Sequence, residues 1–232
     1  MGGGTGRQMP LALRFPPDQR FEGYVAAPDG ALDQLRSLAS ADGATLFLSG
    51  PAGAGKTHLA LATCAQAEAG GRRAAYVPLA AAAGRLGEAL EALAADLVAL
   101  DGLEAIAGQR TDEVALFDFH NRARQAGTTL LYVARGAPEA IGLSLPDLRS
   151  RLSQCPRIIL SLLDDEGRRA VMLERARRRG LVLEPAALEW LLRRAGRDLA
   201  GLTRLLDRLD QASLAAQRRV TVPFLREVLG EL

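Results

Sequence analysis

The stretch GPAGAGKT at residues 50–57 constrains the fold more strongly than any other part of the sequence. It fits the pattern G-x-x-x-x-G-K-[ST], and it lies between the apolar run 45–49 and a helical pattern. Glycines in such a turn let backbone N–H groups converge on phosphate oxygens, and the helix start adds a favourable dipole. A phosphate-binding loop between a strand and a helix is therefore predicted. The alternative is a glycine-rich turn that binds no ligand.

The residues of this loop have distinct predicted roles. Lys56 is expected to reach the outer phosphates of a nucleotide, and the Thr57 hydroxyl is expected to hold Mg²⁺. Lys56 is also the only lysine among 29 basic residues. Because an ammonium is a compact point charge and a guanidinium is a wide planar fork, this bias indicates that position 56 needs the ammonium. The residues predicted to bind the nucleotide are Gly50, Pro51, Ala52, Gly53, Ala54, Gly55, Lys56, Thr57 and His58.

Short apolar runs alternate with helical patterns along the first two thirds of the chain. The runs lie at 45–49, 74–79, 96–100, 129–134 and 157–161. The helical patterns lie at 31–39, 56–69, 85–94, 112–126 and 146–153. Alternation of this kind predicts an α/β fold in which a parallel sheet is sandwiched by helices.

After Ser161 the strand signal stops and only helical patterns follow. They lie at 164–180, 185–196, 198–217 and 221–232. A small all-α domain is therefore predicted to follow the α/β domain. The expected division is a tail at 1–20, a nucleotide-binding α/β domain at 21–163 and a helical domain at 164–232.

The composition excludes several classes of protein. No apolar run approaches the roughly 18 residues that span a membrane, and the start of the chain lacks the regions of a secretory signal. Cys64 and Cys155 lie far apart and have no metal-ligand spacing, so reduced thiols and a cytoplasmic location are expected. The net charge of +2 does not fit a protein that coats nucleic acid, for which a strong basic excess is expected.

Asp101 follows the apolar run 96–100 and is the predicted partner of Thr57 in holding magnesium. Open α/β sheets place their ligands at the carboxyl ends of the strands, which is where Asp101 is expected. The alternative is an ordinary exit from a strand, since Asp-Gly is a good turn pair.

Several stretches together resemble the AAA+ module of the bacterial replication initiator family DnaA. They are GPAGAGKTHLA, DLVALDGLEAIAG, FDFHNRARQAG, LPDLRSRL, LLDDEGRRAVMLERARRRGLVLEPAALEWL and RDLAGLTRLLDRLD, so the resemblance covers about residues 20–230. It implies a P-loop AAA+ fold with a helical lid, and ADP or ATP with Mg²⁺ as cofactors. The sequence ends without the domain by which DnaA reads its DNA boxes, so sequence-specific DNA binding is not expected.

The tail sequence QMPLAL at 8–13 resembles the short motif by which bacterial proteins dock on the replicative sliding clamp. The contact residues would be Gln8, Met9, Leu11 and Leu13. Ala12 stands where the commoner motif has proline, so the extended backbone is less preorganised. A flexible tail can dock in this way once it has been ordered. The alternative is an apolar tail that folds onto its own domain.

A DnaA-like module with a clamp-binding tail is similar to the Hda family of DnaA-related regulators. This similarity implies a negative regulator of replication initiation that docks on the DNA-loaded clamp (the beta subunit of the polymerase) and makes DnaA hydrolyse its bound ATP. DnaA and the clamp are therefore the expected partners, with no membrane association. Self-assembly through the same AAA+ surfaces is a further expectation.

The resemblance also assigns roles to individual residues. Arg151 matches the arginine finger that reaches the nucleotide of a neighbouring subunit, which can accelerate phosphoryl transfer about 10³- to 10⁵-fold. Arg197 matches the sensor arginine of the lid, and Phe21 and Tyr24 match a segment that packs near the adenine. The alternatives are solvated helix faces for the two arginines and ordinary core positions for the two aromatic residues.

Two polar groups that position the attacking water in this family are missing together. The position after Asp101 is commonly acidic but here it is Gly102, and the sensor position in the next strand is occupied by Ala134 and Arg135. Glu104 lies two positions beyond Gly102, where the chain is expected to leave the strand. The resulting hypothesis is a protein that holds a nucleotide firmly and hydrolyses it poorly.

Three other functions remain open at this point. The first is an ATP-hydrolysing helicase loader of the DnaC or IstB type, against which Gly102 and the absent sensor argue. The second is a DNA-binding initiator fragment whose DNA-reading domain lies on another chain. The third is an adaptor that binds no nucleotide, which the retained Lys56 disfavours.

Overall fold

Five parallel strands form the central sheet of the protein, in the order β2-β3-β4-β1-β5. The computed structural model describes residues 19–24, 27–194, 205–206, 208–212 and 219–230. The strands are β1 (Thr45–Ser49), β2 (Ala74–Pro78), β3 (Leu97–Asp101), β4 (Thr129–Ala134) and β5 (Arg157–Ile159). All four pairings are parallel, as the alternating pattern predicted.

The register brings the carboxyl ends of the central strands together along one edge of the sheet, which is called its carboxyl-terminal edge below. Ser49, at the end of β1, pairs with Ala134, at the end of β4, and Asp101 on β3 pairs with Val133. The phosphate loop leaves the sheet directly after Ser49. The phosphate loop and Asp101 therefore lie along one edge, because parallel strands share their direction.

Helices cover both faces of the sheet. In chain order they are α1 (Ala31–Ser40), α2 (Lys56–Ala69), α3 (Leu79–Ala82), α4 (Leu86–Glu91), α5 (Arg110–Gln125) and α6 (Pro146–Ser153). Short 3₁₀ turns lie at Phe21–Gly23 and Leu103–Ala105. Leu35 of α1 and Leu59 of α2 pack on one face, and Leu116 of α5 and Leu148 of α6 pack on the other. Both sheet faces are thus buried, which explains why the strands are continuously apolar.

A helical lid follows β5. It contains α7 (Asp165–Arg178), α8 (Pro185–Arg194) and α9 (Val222–Leu229), and the described residues of 205–212 are also helical. Asp164 caps α7, because its side chain accepts a 2.7 Å hydrogen bond from the Gly167 N–H. Met172, Leu188, Leu206 and Phe224 meet in a separate apolar core. The predicted fold class, a helix-covered parallel sheet followed by an all-α lid, is confirmed.

The boundaries of most elements agree with the predicted ones to within two residues. The main differences are the predicted helix 85–94, which is only Leu86–Glu91, and the predicted helix 221–232, which ends at Leu229. The predicted strand 157–161 ends at Ile159, two residues early. Leu160 still donates its N–H to the Ser49 carbonyl at 2.7 Å, so the chain leaves the sheet gradually. None of the helices in the described ranges is long and apolar enough to cross a membrane.

Candidate functional site: a phosphate loop and a distant arginine

The phosphate loop connects β1 to α2 and depends on close backbone packing. A Cβ atom at Gly50 would lie 2.5 Å from the Leu160 carbonyl oxygen. A Cβ atom at Gly55 would lie 2.5 Å from the Tyr24 ring, and Gly55 also has a φ of +85°. Both positions therefore require glycine. No side chain caps the start of α2, so its first N–H groups remain available to a phosphate.

Lys56 is the first residue of α2, and its ammonium lies within the curve of the loop. Its Nζ donates to the Gly50 carbonyl at 2.6 Å and to the Pro51 carbonyl at 2.7 Å. Burial lowers the pKa of Lys56, whereas the carboxylates of Glu104 and Asp101 raise it. The ammonium is thus held where the backbone of the loop converges, with two carboxylates close enough to influence it.

Thr57 and Asp101 meet at the edge of the sheet. The Thr57 hydroxyl donates to Oδ2 of Asp101 at 2.7 Å, so the two residues predicted to hold magnesium are in direct contact. A hydroxyl and a carboxylate are oxygen ligands of the kind that Mg²⁺ takes, with water and phosphate oxygens completing its shell. These residues fit the ion. When bound, Mg²⁺ would supply positive charge to the nucleotide phosphates.

Tyr76 is a member of this cluster that the sequence did not reveal. Its hydroxyl donates to the same Oδ2 atom of Asp101 at 2.7 Å. Burial and the negative charge of Asp101 raise the pKa of Tyr76, so the hydroxyl remains protonated and acts as a donor. The apolar run 74–79 gave no indication of this role. β2 lies beside β3, with Pro78 paired to Asp101, and this neighbouring position of the two strands brings the Tyr76 hydroxyl to Asp101.

The segment before α1 packs against the loop. The Tyr24 hydroxyl donates to the Ala54 carbonyl at 2.7 Å, and burial raises its pKa to about 12. His58 Nε2 lies 2.8 Å from the Arg20 carbonyl oxygen, and the His58 and Tyr24 ring centroids are 5.6 Å apart. Phe21 is only 2% exposed and packs in the apolar layer of α1 and α2. Tyr24 therefore contacts the loop directly, whereas Phe21 anchors the segment to the core.

An ion pair lies beside the position of the missing carboxylate. Gly102 has a φ of +87°, and its N–H donates to the Val133 carbonyl at 3.0 Å, so the chain turns out of β3 there. Glu104 follows on the 3₁₀ turn, and its Oε1 lies 3.0 Å from Nε of Arg135. Its Oε2 also accepts the Arg135 backbone N–H at 3.2 Å. Ala134 is fully buried at the end of β4. The sequence placed Arg135 and Glu104 separately and missed their pairing.

Arg151 lies at the amino-terminal edge of the sheet, where the parallel strands begin. It is an exposed residue of α6 and lines a cavity with Thr45, the first residue of β1, whereas the phosphate loop begins after the last residue of that strand. A strand rises about 3.3 Å per residue, so the two ends of β1 are roughly 13 Å apart. Within the described residues, no carboxylate forms an ion pair with Arg151. Arg151 therefore lies at the end of the sheet away from its own phosphate loop.

Glu113 fixes the segment that leads into α6. Its carboxylate accepts hydrogen bonds from the N–H groups of Gly108, Ser144 and Leu145 and from the Ser144 hydroxyl, at 2.6–3.0 Å. Burial acts to raise the pKa of Glu113, but these donors outweigh it and the pKa is lowered. The Leu145 N–H immediately precedes α6, so this buried carboxylate positions the helix that carries Arg151. This role of Glu113 could not be predicted from the sequence.

Some of the predicted site residues lie outside the described residues. They are the lid arginine Arg197 and the tail residues Gln8, Met9, Leu11 and Leu13.

The comparisons with known proteins agree with this architecture. A family model described as "Hda, lid domain" matches residues 165–229. Domain III of the Thermotoga maritima replication initiation protein DnaA is similar in structure, with a TM-score of 0.78 and 20% identity over 93% of this chain and 97% of that one. AMPPCP-bound DnaA from Aquifex aeolicus gives a TM-score of 0.70 and 19% identity over 86% of this chain and 67% of that one.

A branch migration motor has a similar fold. The Thermotoga maritima RuvB Holliday junction branch migration motor gives a TM-score of 0.65 and 17% identity over 93% of this chain and 72% of that one. At these identities the structural matches show a similar fold. The more specific finding is the match of residues 165–229 to the Hda lid model. The phosphate loop, the parallel sheet and the helical lid therefore have the fold of the AAA+ module of DnaA, and the lid residues 165–229 match the model of the Hda lid domain.

Proposed function

We propose that this protein is a DnaA-related negative regulator of replication initiation, which binds an adenine nucleotide in its own loop and acts on ATP bound by DnaA. The observation that carries the proposal is the separation of Arg151 from the phosphate loop by the length of β1. An arginine that stabilises phosphoryl transfer must reach the phosphates. Because Arg151 lies at the opposite end of the sheet from its own phosphate loop, we infer that it acts on a nucleotide bound by another chain.

The bound nucleotide acts as a structural ligand in this proposal. Lys56 and the Thr57–Asp101 pair supply the phosphate and magnesium contacts. The position after Asp101 is a glycine in a left-handed conformation, and Ala134 offers no polar group. Arg135 engages Glu104, the remaining carboxylate of that loop. The protein therefore retains its nucleotide, ADP or ATP, and turns it over slowly.

Docking on the sliding clamp is the part of the proposal that rests on the tail sequence. Gln8 would donate and accept through its amide, while Met9, Leu11 and Leu13 would fill apolar pockets of the clamp. A clamp loaded on DNA would then hold the protein close to DNA that is being replicated. The protein is expected in the cytoplasm, where DnaA and the clamp are found.

One observation favours a second function, that of an ATP-hydrolysing helicase loader of the DnaC or IstB type. The Glu104 carboxylate is close enough to Lys56 to raise the pKa of that lysine. If Arg135 released it, Glu104 would be a base beside the nucleotide phosphates. A loader hydrolyses its own ATP in steady turnover, whereas the proposed regulator does not.

The experiment that separates these functions measures two hydrolysis rates. ATP pre-bound to DnaA is followed with and without this protein and DNA-loaded clamp, and turnover by this protein alone is measured in parallel. We expect strong stimulation that requires the clamp and is lost when residues 8–13 are deleted, with little turnover by the protein alone. Steady turnover alone, without stimulation of DnaA, would overturn the proposal and favour the loader.

A further inference from the structure

A cavity of about 220 Å³ lies at the amino-terminal edge of the sheet, away from the phosphate loop. The described residues that line it are Gly43, Thr45, His120, Arg124, Arg151, Gln154 and Cys155. They include two guanidiniums, an imidazole, an amide and a hydroxyl, and none of them is acidic. The cavity therefore offers mainly hydrogen-bond donors and positive charge.

His120 brings a buried donor to this cavity. The residue is only 2% exposed, and its Nδ1 lies 2.7 Å from the hydroxyl of the fully buried Tyr132. If the Tyr132 hydroxyl donates to Nδ1, one bond satisfies both buried atoms, and the proton of the imidazole is then on Nε2. Nε2 is buried and has no hydrogen-bond partner among the described residues. With that tautomer Nε2–H is a buried donor whose missing bond is costly, and an acceptor in the adjoining cavity would satisfy it.

Arg124 and Arg151 bring two like charges to the same cavity. Neither forms an ion pair with a carboxylate of the described residues. Burial lowers the pKa of His120, and the charges of Arg124 and Arg151 lower it further, so the imidazole stays neutral. Two guanidiniums that line one cavity without a carboxylate partner favour an anion there, because guanidinium forks bind oxyanions through paired hydrogen bonds.

We propose that this cavity binds one phosphate-type oxyanion, held by Arg124 and Arg151 and by the Nε2–H of His120. Gln154 and Thr45 lie in the same wall and would contribute neutral hydrogen bonds. The oxyanion has two sources with the same chemistry: free inorganic phosphate, or the terminal phosphate of a nucleotide bound by a neighbouring subunit. The site shares Arg151 with the proposed function, but its existence as an anion site does not depend on that function.

The first arm of the test uses inorganic phosphate and imidazole NMR. The chain has only two histidines, so both imidazoles can be observed and assigned with a His58→Asn variant. His58 adjoins the phosphate loop and reports phosphate that binds there, whereas His120 reports the cavity. We expect saturable shifts of His120 Nε2. Arg124→Gln should weaken this binding roughly ten-fold, since a hydrogen bond to a charged group is lost.

Arg122→Gln is the matched control for that variant. Arg122 is also exposed on α5, two residues earlier, and lies over the Phe119 ring, outside the cavity. It should leave the shifts of His120 unchanged.

The second arm identifies the source of the oxyanion. The Arg124→Gln and Arg122→Gln variants are compared in stimulating hydrolysis of ATP pre-bound to DnaA. A loss confined to Arg124→Gln would identify the nucleotide of the neighbouring subunit as the source, even if free phosphate failed to bind. Phosphate binding with stimulation unaffected would identify free phosphate. If the wild-type protein does not stimulate DnaA, the proposed function fails and the NMR arm alone decides the site. No saturable shift of His120 together with equal behaviour of the two variants would overturn the inference.

Discussion

Glu113→Gln should lower the stability of the protein and misplace α6. Glu113 is fully buried and accepts four hydrogen bonds, which involve both of its carboxylate oxygens. A glutamine has one oxygen, so its NH₂ group must face one pair of donors. The better orientation sets the NH₂ against the Ser144 hydroxyl, which can turn to accept, and the Leu145 N–H, which cannot. One buried N–H is then unpaired.

The magnitude follows from those contacts. An unpaired buried N–H costs about 1–3 kcal/mol, and the remaining bonds lose the strength that a charged acceptor gives them. We expect a loss of about 3 kcal/mol in the free energy of unfolding. For a chain of 232 residues this corresponds to a Tm roughly 6–12 °C lower. The measurements are urea unfolding and calorimetry.

Asp118→Asn is the matched control for Glu113→Gln. Asp118 lies on the exposed side of the same helix, α5, so its substitution should change stability by less than about 0.5 kcal/mol. If Glu113→Gln were no more destabilising than Asp118→Asn, the role assigned to this buried carboxylate would be wrong.

Three further predictions concern the site and its pH dependence. Tyr24→Phe removes the hydrogen bond to the Ala54 carbonyl. It should weaken the binding of a fluorescent ADP about five-fold, because a neutral hydrogen bond contributes about 1 kcal/mol. Unchanged affinity would show that Tyr24 does not support the nucleotide site. Asp101→Asn should abolish the magnesium dependence of that binding; the same dependence as wild type would exclude Asp101. The lowered pKa of Glu113 means that its contribution to stability is present above its ordinary value of 4.5. That contribution is lost as the pH falls through the lower folded-state value, so the unfolding free energy of Glu113→Gln should fall less steeply below pH 4.5 than that of wild type.

The fold could be predicted because its signals are local. Apolar runs of strand length, helical periodicity and the glycine loop each occupy a short stretch, and parallel strands then place their carboxyl ends together. The contact between Thr57 and Asp101 follows from that rule, although the residues are 44 positions apart.

Other parts of the site depend on side chains that only the tertiary structure brings together. Tyr76 reaches Asp101 because β2 is the neighbour of β3, and the order of strands is not written in any single stretch. Glu104 and Arg135 meet because two strand exits adjoin. The cavity at the other edge has the same origin, since His120 and Arg151 come from helices that are distant in sequence. From the sequence alone, an arginine such as Arg151 cannot be distinguished from one on a solvated helix face.

The most direct test of the account is whether Arg151 acts on a nucleotide held by another chain. The rate of hydrolysis of ATP pre-bound to DnaA is measured in a single turnover with clamp on DNA, with wild-type protein, Arg151→Ala and Arg149→Ala. Arg149 is an exposed arginine of the same helix outside the cavity and serves as the control. We predict that Arg151→Ala removes about 10³-fold or more of the stimulation, while Arg149→Ala keeps it. Equal stimulation by Arg151→Ala and wild type would contradict the account.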